Sequence, residues 1–312
     1  RASTELVGGY SVVLLVGARV IAFRDPLGMR PLVFGTIEGG VAVASESVAL
    51  ELMGGTAIRD VEPGEVLVLE RGELVRSSKM PGGGGRAHCM FEWVYFSRPD
   101  SVVEGRSVYD ARHRIGVRLA TESPASADLV VPVPDSARPQ ALGFAERSGI
   151  PYAEALIKNR FVERTFIIPD QKRRELEVRV KLHPVPGLLR GKRVVLVDDS
   201  IVRGTTLREI VQMVRRAGAT RIDVRVGCPP IVAPCYFGID MKERKDLIAF
   251  ERSEAEVAAE IGADSVHYLT IAGLVDAIEK PKEDLCLGCL TGRYPVDVPE
   301  ERRRLQKSLA EF

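Results

Sequence analysis

The sequence predicts a two-domain protein of the α/β class, in which a β-rich first part gives way to a parallel sheet with helices on both faces. Three observations carry that expectation. Residues Arg193-Val-Val-Leu-Val197 have the near-continuous apolar character of a fully buried parallel strand, and they run straight into Asp198 and Asp199. From Tyr109 onward, strand-like and helix-like stretches alternate as βαβ units do. Before that point the chain reads as short strands and tight turns, set off by the glycine run Pro81 to Gly85, the best linker candidate.

In order, Gly8 to Val16 forms a first strand, and Val20-Ile-Ala-Phe23 a second. Arg24-Asp-Pro-Leu-Gly28 has the turn chemistry of Asp, Pro and Gly, and Pro31-Leu-Val-Phe34 is the next strand. Gly40 to Ser45 is extended, Glu46 to Met53 is a short helix, and Gly64 to Leu69 pairs with Glu73 to Arg76 as a hairpin. Beyond the linker, the spacing predicts a helix over Tyr109 to Thr121, a buried strand over Asp128 to Pro134, a helix over Arg138 to Ser148 and a strand over Pro151 to Ala155. The central strand and a helix from Leu207 to Ala217 follow. Then come a strand at Arg221 to Gly227, a helix at Ser253 to Ile261, a strand near Ser265 to Leu269, a helix near Gly273 to Ile278, and a charged surface helix from Pro299 to Phe312. The expected domains are residues 1–85 and 86–312.

At 312 residues, with 45% hydrophobic and 28% charged residues, the chain has ample core for two domains. A net charge of +1 provides no global field to recruit nucleic acid or an anionic membrane surface. The apolar runs are far shorter than the roughly 20 residues of a membrane span. Five cysteines, two of them in a C-x-x-C, read as cytosolic thiol or metal chemistry, and a cytoplasmic location is expected. The sequence opens on Arg1 and almost at once enters a strand, which reads as the middle of a domain.

The chemistry gathers after two buried strands. Ser200, Ile201, Val202, Arg203, Gly204, Thr205 and Thr206 lead into a helix, so backbone N–H groups, hydroxyls and a helix N-terminus converge on one spot suited to phosphate. Asp198 and Asp199 beside it would repel that ligand unless they bind vicinal sugar hydroxyls or Mg2+. Val131-Pro-Val-Pro-Asp-Ser-Ala137 is a second loop, with Asp135 and Ser136 in a proline-fixed backbone that can take pyrophosphate or metal. From Lys158 to Lys181 eight basic residues stand against four acidic ones without clear periodicity, which suggests a lid closing over pyrophosphate.

The Arg193-to-Thr206 stretch resembles the phosphoribosyl diphosphate (PRPP) signature of type I phosphoribosyltransferases. Together with Arg24-Asp-Pro-Leu-Gly-Met-Arg-Pro-Leu32, Phe91-Glu-Trp-Val-Tyr-Phe-Ser-Arg-Pro-Asp-Ser101, Val133-Pro-Asp-Ser136 and Lys158-Asn-Arg-Phe-Val-Glu-Arg-Thr-Phe166, it makes nearly the whole chain similar to the iron-sulfur type of the amidophosphoribosyltransferase family. That resemblance implies part of an N-terminal-nucleophile glutaminase β-sandwich followed by a type I phosphoribosyltransferase sheet. It implies that Asp198 and Asp199 hold the ribose hydroxyls and, with Ser136, magnesium, while Ser200 to Thr206 cradle the 5'-phosphate. Lys158 and Arg160 would belong to the closing loop. Ammonia, drawn from glutamine in the intact enzyme, would displace pyrophosphate to give 5-phosphoribosylamine, the first committed step of purine synthesis. A homo-oligomer, dimer or tetramer, inhibited by purine nucleotides is also implied.

Four thiolates suit either Fe4S4 or structural Zn2+. The resemblance implies a 4Fe-4S cluster on Cys89, Cys235, Cys286 and Cys289, with Cys228 left to pack as a small apolar residue. His88, His113, His183 and His267 share no motif. The sequence departs from the family in one respect: no cysteine precedes Cys89, so the family's N-terminal Cys nucleophile is absent and the glutaminase half is unsupported by these residues. Two rival readings share the PRPP loops: a salvage phosphoribosyltransferase, and a PRPP-binding regulator without turnover.

Overall fold

The computed structural model describes residues 6–81, 84–159, 181–241 and 243–299. Arg160, most of the basic segment expected to form a lid, and the charged stretch from residue 300 onward lie outside these residues. The chain divides into two compact units, one of residues 1–108, 233–242 and 280–312, the other of residues 109–232 and 243–279.

In the first unit, the strands Ser11–Val16, Arg19–Arg24, Glu65–Glu70 and Glu73–Lys79 form an antiparallel sheet in that order, and Gly40–Ala44, Val33–Ile37 and Thr56–Asp60 form a second. The expected hairpin is present, with a bulge between Val68 and Leu69. Inward-facing residues of both sheets share one core of Ala22, Phe34, Leu67 and Leu69 with Leu32 and Val61 from the connections, the packing that period-two alternation dictates.

The Arg24–Leu32 turn is shaped from within. The Asp25 carboxylate accepts N–H bonds from Leu27 at 3.0 Å, Met29 at 2.9 Å and Arg30 at 3.1 Å, as turn-forming Asp side chains do. The buried Arg24 guanidinium donates to the carbonyls of Arg30 at 2.6 Å, Val61 at 2.7 Å and Gly28 at 2.8 Å, and pairs with Glu104 at 2.5 Å. The guanidinium and much of the turn's backbone are therefore paired from within, which a buried cation and an irregular backbone both require.

The second unit is built on a four-stranded parallel sheet in the order Leu129–Pro132, Arg193–Asp198, Arg221–Val226 and Ser265–Tyr268. The expected buried strand beside it is shorter than Asp128 to Pro134, and the central strand reaches Asp198. Helices Val108–Glu122, Arg138–Ser148, Thr205–Arg216, Glu254–Ile261 and Ile271–Ile278 match the expected helices within a few residues. The expected strand at Pro151 to Ala155 is corrected. It makes only an isolated bridge, Tyr152 to Val130: extending it toward Ala155 would need an N–H from the facing strand at Pro132, extending it backward one from Pro151, and neither proline has one. Leu156–Lys158 instead pairs antiparallel with Leu182–Pro184.

Two helices of this unit cross at glycines. A Cβ on Gly116 would lie 1.8 Å from the Gln140 carbonyl oxygen, and one on Gly143 would lie 2.1 Å from that of His113. Neither backbone oxygen can move without shifting its helix. Gly116→Ala should therefore destabilise the protein by about 1–3 kcal/mol, the cost of overpacking. Gly187→Ala, where nothing lies within 4 Å, should stay within roughly 0.5 kcal/mol of the parent; urea unfolding of both variants measures the difference.

Candidate functional site

The carboxyl ends of the strands Leu129–Pro132 and Arg193–Asp198, neighbours in the sheet, carry the site. Strand pairing runs past the central strand, with Val133 N–H on the Val197 carbonyl at 2.8 Å, Gly227 N–H on that of Asp198 at 2.9 Å and Cys228 N–H on that of Asp199 at 2.8 Å. Neighbouring segments thus fix the backbone of both aspartates. Their side chains differ. Asp199, 5% exposed, accepts from the Ser200 hydroxyl at 2.6 Å and from the Ser136 hydroxyl in a shorter bond. Asp198 accepts the N–H of Asp199 at 2.9 Å.

Burial is the largest influence on both acids. It raises the Asp198 carboxyl well above its ordinary value, and the neighbouring Asp199 charge raises it further. Asp199 is also raised by burial, but Ser136, Ser200 and the Arg112 guanidinium pull it back. Two adjacent acids, Asp199 buried and Asp198 half-buried, are poorly stabilised as charges until further donors or a cation arrive, so the pair suits vicinal sugar hydroxyls, Mg2+ or both.

The loop after them turns at Gly204, with φ +75°, into the helix Thr205–Arg216, whose N-terminus has no side-chain cap. A Cβ on Gly204 would also lie 2.2 Å from Ile248 Cδ1, so sterics and backbone angle both call for glycine here. Ile201 is packed into the sheet core and Val202 gives its carbonyl to Ile248 N–H at 2.8 Å, while Arg203, Thr205 and Thr206 are exposed. Such a helix start offers unpaired N–H groups to an anion.

The second loop lies beside the first through the Ser136–Asp199 bond. Asp135 there pairs with Arg138 at 2.8 Å and with Lys158 at 2.5 Å. Lys158 is therefore already at the Asp135–Ser136 loop, whereas Arg160 lies outside the described residues. Arg112 escaped the sequence reading. It is 1% exposed on the Val108–Glu122 helix, and a cation beside the apolar stripe Val108, Ala111, Ile115 was the signal for it.

In the first unit, Cys89, Cys235, Cys286 and Cys289 line one cavity with Met29, Arg30, Phe237, Ile239, Gly288 and Tyr294. Cys286 and Cys89 are register partners in a short parallel ladder. The N–H of Phe237 donates to Cys235 Sγ at 3.4 Å, and the N–H groups of Phe91 and Gly288 act likewise on Cys89 and Cys286. Each donor is two residues after its cysteine, a turn that favours thiolate. Against this, burial pushes the Cys89 thiol up, and with it the Cys286 thiol to about 11. A metal would reverse both shifts. Among the described residues no group of three or more such side chains is set at metal-holding distance, yet four sulfurs, N–H donors and an apolar lining fit a thiolate-held centre. Cys228 is buried apart from these, as expected.

Residues 121–230 match the phosphoribosyl transferase domain family, a span that contains the Asp135–Ser136 loop, the Asp198–Thr206 loop and Lys158. The chain is 51% identical to the amidophosphoribosyltransferase of Methanocaldococcus jannaschii over 96% of its own length and 66% of the relative's. It is 54% identical to that of Pyrococcus horikoshii, over 95% and 64%. This chain belongs to the amidophosphoribosyltransferase family. Its fold agrees: a glutamine PRPP amidotransferase of B. subtilis, solved with ADP and GMP, superposes with a TM-score of 0.86 at 45% identity, over 94% of this chain and 65% of that one. The chain thus spans a little under two thirds of the length of these amidophosphoribosyltransferases.

The raised Asp198 carboxyl has a measurable consequence in the ligand-free protein. A folded-state value above 3.8 means that stability is fully present below the unfolded value and falls as pH rises through the folded one. Asp198→Asn removes that loss while keeping an acceptor for the Asp199 N–H. Its thermal midpoint should match the parent near pH 4 and exceed it increasingly towards neutrality. Melting curves across that range with equal midpoints throughout would contradict the assignment.

Proposed function

We propose that this chain transfers ammonia to PRPP, giving 5-phosphoribosylamine and pyrophosphate, within the first committed step of purine synthesis. The observation that supports it best is the meeting of the Asp198–Asp199 pair, the Ser136 loop and the uncapped helix start at Gly204 at one end of one sheet. In this reading the acids accept the ribose 2'- and 3'-hydroxyls, Ser200 to Thr206 hold the 5'-phosphate, and Ser136 and Lys158 face the pyrophosphate. Mg2+, held by Ser136, Asp198 and Asp199, supplies charge neutralisation for the pyrophosphate when bound. Ammonia forms the bond to C1 as the C1–O bond breaks, pyrophosphate leaves with the electron pair, and the nitrogen releases its proton to water. The leaving group is good, so the residues contribute positioning and water exclusion more than proton transfer.

Residues 1–85 fit part of the glutaminase half that supplies ammonia from glutamine, and residues 86–312 the transferase half with its cysteine segments. The four cysteines hold a 4Fe-4S cluster of structural role in this reading. Purine nucleotides inhibit a dimer or tetramer in the cytoplasm. No helix among the described residues is long and apolar enough to cross a membrane. A PRPP-binding regulator or a salvage enzyme is less well supported, because neither explains the four cysteines or the Arg24–Leu32 turn.

The test is anaerobic purification of the natural protein that carries this chain, followed by PRPP-dependent pyrophosphate release with ammonium and, separately, with glutamine. Release with ammonium is expected, reduced about 100- to 1,000-fold in Asp198→Asn and Asp199→Asn, the range seen when a preorganised electrostatic contact is removed. PRPP binding without release from either nitrogen source would favour the regulator. Equal iron and acid-labile sulfide with no zinc would support the cluster.

A further inference from the structure

Arg30 belongs to the Arg24–Leu32 turn, a segment that the proposed chemistry leaves without a task. It is the one charged side chain among the described residues that line the four-cysteine cavity. Its guanidinium is held from two sides, with Nη1 on Glu92 Oε1 at 3.0 Å and Nη2 donating to the Phe237 carbonyl at 3.0 Å, and it lies 5.5 Å from the centre of the Phe96 ring. The backbone beneath is equally fixed, by the Asp25 carboxylate on its N–H and the Arg24 guanidinium on its carbonyl. A long side chain so restrained has already lost the freedom that binding would otherwise cost it.

The chemistry of the cavity asks for such a cation. Four thiolates carry more negative charge than a cluster core neutralises, and the Glu92 carboxylate, itself 6% exposed, adds another buried acid beside Arg30. Arg30 lines the same cavity as the four sulfurs and pairs with Glu92 at 3.0 Å, so its charge is placed where that negative charge gathers. The Phe237 carbonyl that Arg30 grips belongs to the residue whose N–H donates to Cys235. One guanidinium thus supplies charge to the site and fixes the turn that presents a cysteine.

We propose that Arg30 is the positioning and charge-compensating residue of the four-cysteine centre: clamped between Glu92 and the Phe237 carbonyl, it offsets thiolate charge and fixes the Cys235 turn. This rests on the reading that the four cysteines hold an iron-sulfur cluster. A lysine could supply the charge but not the two-sided clamp, which separates the two parts of the role.

The natural protein and its Arg30→Gln, Arg30→Lys and Glu92→Gln variants, purified anaerobically, provide the test. Iron and sulfide are counted, iron transfer to a ferrous chelator is timed, and the reduction midpoint is titrated. Arg30→Gln should release iron about 10- to 100-fold faster, the usual effect of losing a residue that orients metal ligands, with its midpoint moved to lower potential because a cation near the added electron is gone. Arg30→Lys should keep the parent's midpoint and release iron at an intermediate rate. Glu92→Gln should move the midpoint the other way, a reversal that loosened packing would not produce, and this arm stands even if Arg30→Gln fails to load iron. Parent-like release and midpoint in Arg30→Gln, or a Glu92→Gln midpoint unchanged or lowered, would overturn the proposal. A parent protein without iron and sulfide would instead refute the cluster reading on which it rests.

Discussion

Two adjacent acids at the end of a buried strand are the constraint around which the second unit is arranged. Neither acid is comfortable there, and the surroundings treat them differently. Asp199 receives two hydroxyls and the influence of a buried guanidinium, while Asp198 has a single backbone N–H. One acid is held in place and the other is left for a polar ligand. Stability given up at a binding site in this way is common where selection acts on function, and here the parallel sheet carries the cost, since pairing on both sides fixes the backbone of the pair.

The cysteine cavity solves the reverse problem. There burial disfavours ionised thiols, and the protein sets N–H dipoles of the residues two after Cys89, Cys235 and Cys286 on their sulfurs, with one clamped cation in the cavity wall, instead of hydroxyl cages.

Much of this was legible in the sequence because its signals are local. A continuous apolar run needs a two-sided sheet, and the acids, glycine and threonines after it have few other uses together; the strand, the loop and the helix start stand as expected. The segment Pro151 to Ala155 misled because apolar content alone does not reveal which N–H groups are available to pair. Arg112 and the clamp on Arg30 escaped for another reason. Their meaning depends on partners such as Asp199, Glu92 and Phe237 that lie 62 or more residues away, and no local period encodes that. The Arg24–Leu32 turn was visible as a motif, but its role emerged only when Phe237 and the cysteines were seen beside it.

The parallel ladder between His88–Cys89 and Leu285–Cys286 carries a consequence for biogenesis. The first unit begins near the start of this sequence, yet its cysteine-bearing edge cannot close until the ribosome has made the segment around Leu285. Residues 109–232 belong to the other unit and emerge in between. The unit that starts first therefore finishes last. While translation proceeds, Cys89 is a waiting thiol with its partners unmade, so the order of synthesis leaves this edge open to oxidation or to a foreign metal until the last of the four cysteines arrives.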